Sequence, residues 1–127
     1  MLIDKAEILT LIPHQGTMCL LDGVTDWDDQ SIVCTSSTHR DLDNPLRAQN
    51  SLAALHAVEY GAQATAIHGG LRARRAGRKA PAAFLAALKE IKLFTDVLDT
   101  VEAPLTIEAT RLAGDTAHFI YSFRVSA

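Results

Sequence analysis

The segment that most constrains this chain is a run of alanine and other small or apolar residues at positions 52–68. Its length and composition predict one helix over about residues 51–69, capped by Asn50 or Ser51 and ended by Gly69–Gly70. A helix that is apolar on nearly every side is normally buried along much of its length. We therefore expect this helix to lie at the centre of the fold, covered by the remaining elements.

One charged residue, Glu59, interrupts this apolar run. At helical spacing the side chains of His56, Glu59 and Gln63 project from the same face and form a polar stripe. A carboxylate on a buried helix must be paired, solvated in a cleft or protonated, because uncompensated burial of a charge is too costly. The stripe therefore indicates a functional site, and a structural carboxylate bonded to a tyrosine or a neighbouring strand fits it equally well.

The rest of the sequence is rich in strand-like segments. Strands are predicted at about residues 18–27, 31–38, 84–94, 105–112 and 117–125. A hairpin turn at 113–116 joins the last two, and a short helix that Asp4 caps and Pro13 ends precedes the first. Five strands and one apolar helix predict an α+β fold in which an antiparallel sheet wraps around the long helix. The length of 127 residues predicts a single domain.

Composition argues against several classes of function. The net charge of −3 gives no overall electrostatic case for nucleic acid binding. No segment is apolar enough to predict a membrane span, and the charged residues near the N-terminus are untypical of a secretory signal. Cys19 and Cys34 lack the spacing of a metal or disulfide motif, so we interpret them as reduced, buried thiols. These features together predict a cytoplasmic protein.

Four stretches carry a resemblance to a known family. They are Glu-Ile-Leu-Thr-Leu-Ile-Pro-His at 7–14, Leu-Leu-Asp-Gly-Val at 20–24, Glu-Tyr-Gly-Ala-Gln at 59–63 and the strand-like residues 84–93. In this order they resemble FabZ-type 3-hydroxyacyl-[acyl carrier protein] dehydratases, which have the hot-dog fold. The sequence is more similar to a shorter branch, the ApeP-like dehydratases found with aryl polyene pigment clusters.

The features shared with the ApeP-like branch are His39, Asn-Pro-Leu-Arg at 44–47, Glu59 with its neighbours, and His68–Gly69. Two features of FabZ-type enzymes are absent. Their Gly-His-Phe-Pro-Gly stretch, which holds the catalytic histidine, is missing, and its place falls near Asn44–Pro45. The sequence also stops at Ala127, where the family's last strand normally continues. The family's histidine therefore cannot be transferred to a position in this chain.

The resemblance implies an activity and roles for two residues. Such enzymes convert a 3-hydroxyacyl thioester on acyl carrier protein to the trans-2-enoyl thioester, in fatty-acid-like or aryl polyene biosynthesis. Glu59 would face the 3-hydroxyl, and Gln63 would orient it or bond the substrate. Unpaired N–H groups in the first helical turn would polarise the thioester carbonyl. The substrate arrives on the phosphopantetheine of the carrier, so no separate cofactor is expected. The site would form across a homodimer, or across a heterodimer with a related dehydratase.

The identity of the catalytic base is a separate question. His39 precedes the long helix and could reach a partner's Glu59 across a dimer interface; the alternative is a surface histidine bonded to a nearby aspartate. His56 is the rival, because it lies three residues before Glu59 on the same face. His68 is expected at the helix C-terminus, His14 in a structural position and His118 on the surface. No spacing among these histidines predicts a metal site.

One cluster of basic residues follows the predicted helix, in a glycine-containing connection. Its members are Arg72, Arg74, Arg75, Arg78 and Lys79. Because acyl carrier proteins are acidic, such a cluster could steer the carrier, and Arg47 is a further candidate for the phosphate of the phosphopantetheine arm. A solvated loop without a partner is the alternative interpretation.

Two other functions stay open from the sequence. Hot-dog thioesterases often use a helix carboxylate without any histidine, which fits Glu59. A catalytically degenerate hot-dog subunit, paired with an active dehydratase, fits the missing histidine stretch and the short C-terminus. A histidine within hydrogen-bond reach of Glu59 would favour the dehydratase.

Overall fold

A computed structural model describes the chain at residues 2–12, 16–47, 56–77, 98, 101–114 and 119–127. Within these residues the strands are β1 (Ile3–Asp4), β2 (Gly23–Trp27), β3 (Ser31–Ser36), β4 (Leu105–Gly114) and β5 (Phe119–Ser126). The helices are α1 (Lys5–Ile8) and α2 (Ala57–Arg75), with 3-10 turns at Gly16–Met18 and Thr38–Arg40. The described strands form one antiparallel sheet in the order β1-β2-β3-β4-β5.

Alternation along the strands places one face of the sheet against α2. In β3, and in β4 as far as Ala109, every second residue is buried. This set is Ile32, Cys34, Ser36, Leu105, Ile107 and Ala109. The buried stripe of α2 consists of Tyr60, Ala64, Ile67 and Leu71, at helical spacing. The core therefore lies between α2 and the inner faces of β3, β4 and β5. Removal of these apolar side chains from water is the main force that holds the helix to the sheet.

The predicted fold class is confirmed, because the described residues contain one main helix and a five-stranded antiparallel sheet. The wrapping of the sheet around the helix stays a prediction. The strand predicted at 84–94 lies outside the described residues. The fifth described strand is instead β1, whose two residues pair with β2 and are too few to show an alternating pattern.

The predicted end of the long helix is wrong. Instead of stopping at Gly69–Gly70, α2 continues to Arg75 and ends near Gly77, which adopts a φ of 69°. Gly70 has a packing role, because a Cβ there would lie 3.2 Å from the Leu11 carbonyl oxygen. The basic residues predicted to follow the helix therefore begin within its last turns. The predicted start at residue 51 lies outside the described residues.

The first long strand also begins later than its apolar residues predict. Residues 16–18 form a 3-10 turn and β2 starts only at Gly23, because the Met18 carbonyl and the Leu20 N–H bond a helix side chain instead of a neighbouring strand. Asp4 caps α1 as predicted, since its Oδ1 accepts the Glu7 N–H at 3.0 Å. The predicted end at Pro13 is wrong, because α1 already ends at Ile8.

A direct contact between α2 and β5 occurs at Gly61. The Phe123 ring lies against the helix backbone there, and a Cβ added to Gly61 would overlap the ring. For Gly69, on the same helix, no other element among the described residues has an atom within 4 Å of the position that its Cβ would take. The two glycines therefore differ in the space available for a side chain, and their sequence context does not reveal this difference.

The contact at Gly61 predicts opposite effects of one substitution at two positions. Gly61→Ala should lower the free energy of unfolding by about 1–3 kcal/mol through overpacking against Phe123. Gly69→Ala, the matched control, should raise it by about 0.5–1 kcal/mol, because alanine is the better helix former. Urea unfolding of both variants measures the difference. Equal stability of the two would contradict the described contact, and adding Phe123→Leu to Gly61→Ala should restore part of the loss.

Candidate functional site

Gln63 is a buried amide whose orientation is fixed by backbone partners. Its Oε1 accepts the Leu20 N–H at 2.9 Å, and its Nε2 donates to the Met18 carbonyl at 2.8 Å. Because a backbone N–H only donates and a carbonyl only accepts, the reversed amide would break both bonds. These bonds attach the segment before β2 to the middle of α2.

Glu59 lies one turn before Gln63 on α2. Its side chain is half-buried, and its Oε1 lies 3.5 Å from Gln63 Nε2, at the outer limit of a hydrogen bond. The NH2 group of the fixed amide therefore faces the carboxyl group. Since both polar ends of Gln63 are committed to backbone groups, the geometry favours an orienting role for Gln63 over direct contact with a substrate.

Tyr60, the next residue of α2, directs its hydroxyl into a buried polar cluster. The hydroxyl oxygen lies 2.8 Å from Thr38 Oγ1 and accepts a hydrogen bond from Asn44 Nδ2 at 3.0 Å. Burial raises the pKa of Tyr60, and the bonds with Thr38 and Asn44 oppose this shift. Asn44 further donates to the Thr38 carbonyl at 2.9 Å, so the cluster attaches residues 38–47 to the helix turn that carries Glu59.

No role was predicted for Thr38, Asn44 or Tyr60. A tyrosine on an apolar helix is the signal that could have found them, because a buried hydroxyl normally needs a hydrogen-bond partner. The identity of that partner could not be predicted, since Thr38 and Asn44 precede the helix by many residues and their loop has no regular pattern.

His39 lies inside the fold, which differs from the predicted loop position. It belongs to the 3-10 turn Thr38–Arg40, its side chain is fully buried, and its Nε2 lies 2.7 Å from the Val101 carbonyl oxygen. Because a carbonyl only accepts, Nε2 is the donor of this bond. Among the described residues Nδ1 has no hydrogen-bond partner. The alternative of a surface histidine bonded to an aspartate is therefore wrong, and the catalytic role of His39 stays a prediction.

His56 lies at the N-cap position of α2 as the structure describes it, half-buried and without a side-chain capping bond. Its predicted role as the alternative base also stays a prediction. His14 and His118 lie outside the described residues.

His68 does not lie at the helix C-terminus, because α2 continues for two further turns. The ring is fully buried and donates from Nε2 to the Asp28 carbonyl at 2.7 Å. Nδ1 therefore accepts from the Tyr121 hydroxyl, at 2.6 Å. Burial lowers the pKa of His68, with Arg72 acting in the same direction, while the bond to Asp28 opposes the shift. Burial also raises the pKa of Tyr121 to about 12.

The basic side chains at the end of α2 are paired with acidic groups of the same chain. Arg74 lies 2.7 Å from Glu7, and Arg75 lies 3.2 Å from Asp29. The Arg75 guanidinium also lies 4.1 Å from the centroid of the Trp27 ring, at cation–π distance. The described part of the cluster is thus largely neutralised. Arg78 and Lys79 lie outside the described residues, and Arg47 is half-buried.

A small cavity of about 130 Å³ lies beside the Tyr60 cluster. Its described lining is Lys5, Gly16, Cys19, Thr38, Asp41, Asp43 and Asn44. The ammonium group of Lys5 is paired with Asp22 at 3.1 Å and donates to the Cys19 carbonyl. The described lining includes neither Glu59 nor Gln63, so this cavity lies apart from that pair.

Two further features are absent from the described part of the chain. None of its helices has the length and apolar character needed to cross a membrane. No group of three or more histidine, cysteine or acidic side chains there could hold a metal ion.

Comparison with solved structures gives the class to which this fold belongs. The chain is similar to a chain of the dehydratase heterocomplex ApeI:P from Xenorhabdus doucetiae, with a TM-score of 0.82, 22% sequence identity, and coverage of 94% of this chain and 80% of that chain. At this identity the likeness shows the fold, which is the hot-dog type found in dehydratases. No curated protein matches the sequence.

The family follows from the sequence itself. The model of the ApeP-like family, described as ApeP dehydratase, matches residues 6–127. This chain belongs to the ApeP-like dehydratase family, and the resemblance identified from its sequence is confirmed.

The buried amide of Gln63 predicts a loss of stability on its removal. Gln63→Leu should lower the free energy of unfolding by about 1–3 kcal/mol for each backbone group left without a partner, the Leu20 N–H and the Met18 carbonyl. Urea unfolding measures this loss. Thr65→Val is the matched control, because among the described residues Thr65 Oγ1 bonds the Ala62 carbonyl of its own helix. This substitution should change stability by less than about 0.5 kcal/mol. A Gln63→Leu variant as stable as the control would contradict the described bonds.

The environment of His68 predicts a stability that depends on pH. A histidine with a folded pKa below its unfolded pKa binds fewer protons in the folded state. The contribution of the buried His68 to the free energy of unfolding is therefore fully present above the unfolded pKa of about 6.5. This contribution falls as the pH is lowered below that value. His68→Gln can keep both hydrogen bonds without titrating, so its free energy of unfolding should fall less than that of the wild type between about pH 7 and pH 5. Identical pH dependence of the two proteins would show that His68 titrates alike in the folded and unfolded states.

Proposed function

We propose that this chain takes part in dehydration of a 3-hydroxyacyl thioester on acyl carrier protein to the trans-2-enoyl thioester, with Glu59 as the proton donor to the hydroxyl. The observation that carries this proposal is the placement of the Glu59 carboxyl on a buried helix, facing an amide that two backbone groups hold in one orientation. Membership of the ApeP-like dehydratase family supports the reaction class.

The reaction needs a base that acts at the carbon next to the thioester carbonyl and an acid that acts on the hydroxyl of the following carbon. A base removes the proton next to the carbonyl, the C–O bond of the 3-hydroxyl breaks, and the carboxyl of Glu59 supplies the proton with which that oxygen leaves as water. The electrons of the broken C–H bond form the new double bond. Gln63 holds the carboxyl in one position while the proton is transferred. Hydrogen-bond donors for the thioester oxygen are expected from the start of the predicted helix, at residues 51–55, outside the described part.

The base in this proposal comes from a second subunit. His39 is enclosed in the fold and uses Nε2 to bond Val101, so a carrier-bound substrate would have to reach the enclosed Nδ1. His56, half-buried and three residues from Glu59, is the alternative within this chain. The reaction needs a base that the substrate can reach. A related hot-dog dehydratase can supply such a histidine across a shared interface, and the fold of this chain then does not have to open. The likeness to a chain of a dehydratase heterocomplex supports such a partner.

The carrier in this proposal docks on the basic end of α2, with Arg74 and Arg75 facing its acidic surface and Arg47 facing the phosphate of the phosphopantetheine arm. The ion pairs of Arg74 with Glu7 and of Arg75 with Asp29 are exposed, and pairs of this kind contribute only about 0–1 kcal/mol. Exchange of these partners for carboxylates of the carrier is therefore inexpensive. The phosphopantetheine arrives with the substrate, so the site needs no cofactor of its own, and a carrier-dependent reaction belongs in the cytoplasm.

The proposal predicts that turnover requires the carboxyl of Glu59. The measurement is mass spectrometry of 3-hydroxybutyryl acyl carrier protein incubated with the purified chain, alone and co-expressed with a hot-dog dehydratase subunit. The active preparation should lose water from the acyl chain, and Glu59→Gln should lower the rate by about 100-fold or more, within the range of general acid catalysis. Glu108→Gln, on the exposed face of β4, is the matched control and should retain the wild-type rate.

Each other outcome of this assay has a definite meaning. Turnover by the chain alone would place the base within it, and His39→Gln and His56→Gln would then identify that base. Turnover only with the second subunit would support the composite site. Loss of the whole acyl group would identify a thioesterase. An unchanged rate in Glu59→Gln would refute the assignment of the acid.

A further inference from the structure

We propose that the Tyr60 hydroxyl positions the Glu59 carboxyl through a closed circuit of hydrogen bonds. The circuit runs from Tyr60 through Thr38, Leu20 and Gln63 to Glu59, and the covalent bond between residues 59 and 60 closes it. This inference rests on the proposed function of Glu59. It assigns to Tyr60 a role that acts through other residues.

The first half of the circuit follows from where each hydroxyl proton lies. Thr38 Oγ1 donates to the Leu20 carbonyl at 2.7 Å, a bond that leaves Thr38 no second proton. The contact between Tyr60 and Thr38 at 2.8 Å therefore has Tyr60 as its donor. The lone pair of the Tyr60 oxygen accepts from Asn44 Nδ2. Tyr60 is thus the donor on the helix side of the Thr38 oxygen, which Ser36 Oγ also contacts at 3.0 Å.

The second half of the circuit passes through the backbone of Leu20. The Leu20 carbonyl accepts from Thr38 and from Ser36 Oγ, while its N–H donates to Gln63 Oε1. Movement of Thr38 therefore moves the Leu20 residue and, through it, the amide that faces Glu59. The bonds that link Tyr60, Thr38, Leu20 and Gln63 lie among buried groups, where water cannot replace a lost partner. The last contact, from Gln63 to the half-buried Glu59, is part-buried.

Tyr60 is a positioning residue because its hydroxyl has no capacity left for a substrate. Its side chain is fully buried, its proton goes to Thr38 and its oxygen accepts from Asn44. The effect on the reaction comes through geometry, since a displacement of a reacting group by about 1 Å can lower a rate about 100-fold.

The test compares two buried tyrosine hydroxyls of the same chain. Tyr60→Phe removes the hydroxyl at the Glu59 end of α2, and Tyr121→Phe removes the one that bonds His68 about two and a half helical turns away. In the preparation that dehydrates 3-hydroxybutyryl acyl carrier protein, Tyr60→Phe should lower kcat about 10-fold or more with KM unchanged. Tyr121→Phe should keep the wild-type kcat. Equal kcat values for the two variants would overturn the inference.

A second pair of variants tests the path itself. Thr38→Val removes the hydroxyl between Tyr60 and Leu20 at nearly constant volume, so it should lower kcat as much as Tyr60→Phe. The double variant Tyr60→Phe/Thr38→Val should be no slower than either single variant, because each substitution breaks the same path. Thr38→Ser keeps the hydroxyl and should restore most of the rate. Multiplicative losses in the double variant would show that the two residues act separately.

Amide hydrogen exchange tests the hydrogen-bond circuit independently of enzyme activity. The Leu20 N–H bonds Gln63 Oε1, so Tyr60→Phe should speed its exchange about 10-fold relative to the Ile107 amide in the core strand β4. Tyr121→Phe should leave this ratio unchanged. If Glu59→Gln keeps full activity, the proposed function fails while the exchange ratio still decides whether the circuit exists. An unchanged ratio of the two exchange rates in Tyr60→Phe would refute the circuit, even if Glu59 proves essential for activity.

Discussion

A buried side-chain amide can donate two hydrogen bonds and accept two, and Gln63 finds its partners in a part of the chain far from its own helix. Each partner left unpaired in the interior would cost about 1–3 kcal/mol. The segment at 18–20 and helix α2 can therefore meet in one register only. The late start of β2 follows from this register, as do the approach of Thr38 to Leu20 and the orientation of the group that faces Glu59.

Much of the architecture could be predicted because it depends on local pattern. The apolar helix, the antiparallel sheet and the cap of α1 follow from spacing, alternation and capping chemistry. The end of α2 could not be predicted in this way. A glycine that ends a helix and a glycine that lets a backbone pass close by look the same in a sequence, and Gly70 is of the second kind because Leu11 lies against it.

The candidate site was predictable in part for the same reason. Helical spacing indicated the Glu59–Gln63 pair, since both residues lie on one element. The environments of the histidines depend on partners distant in sequence: His39 bonds Val101, and His68 bonds Tyr121 and Asp28. Nothing local distinguishes a histidine that will be enclosed from one that will face a substrate. The family resemblance fixed the class of protein correctly but carried no catalytic histidine into this sequence.

The contact of Phe123 with the helix backbone at Gly61 has a mechanical consequence. Elsewhere between α2 and the sheet, a layer of side chains can adjust its rotamers when a neighbour changes, and so absorbs small displacements. At Gly61 the helix contributes no side chain, so the Phe123 ring contacts the helix backbone itself. A shift of β5 is therefore transmitted to the helix as a movement of its axis, two residues from Glu59. Substitutions on this strand, although remote from the carboxyl group in sequence, can thus change the alignment of the acid without touching it.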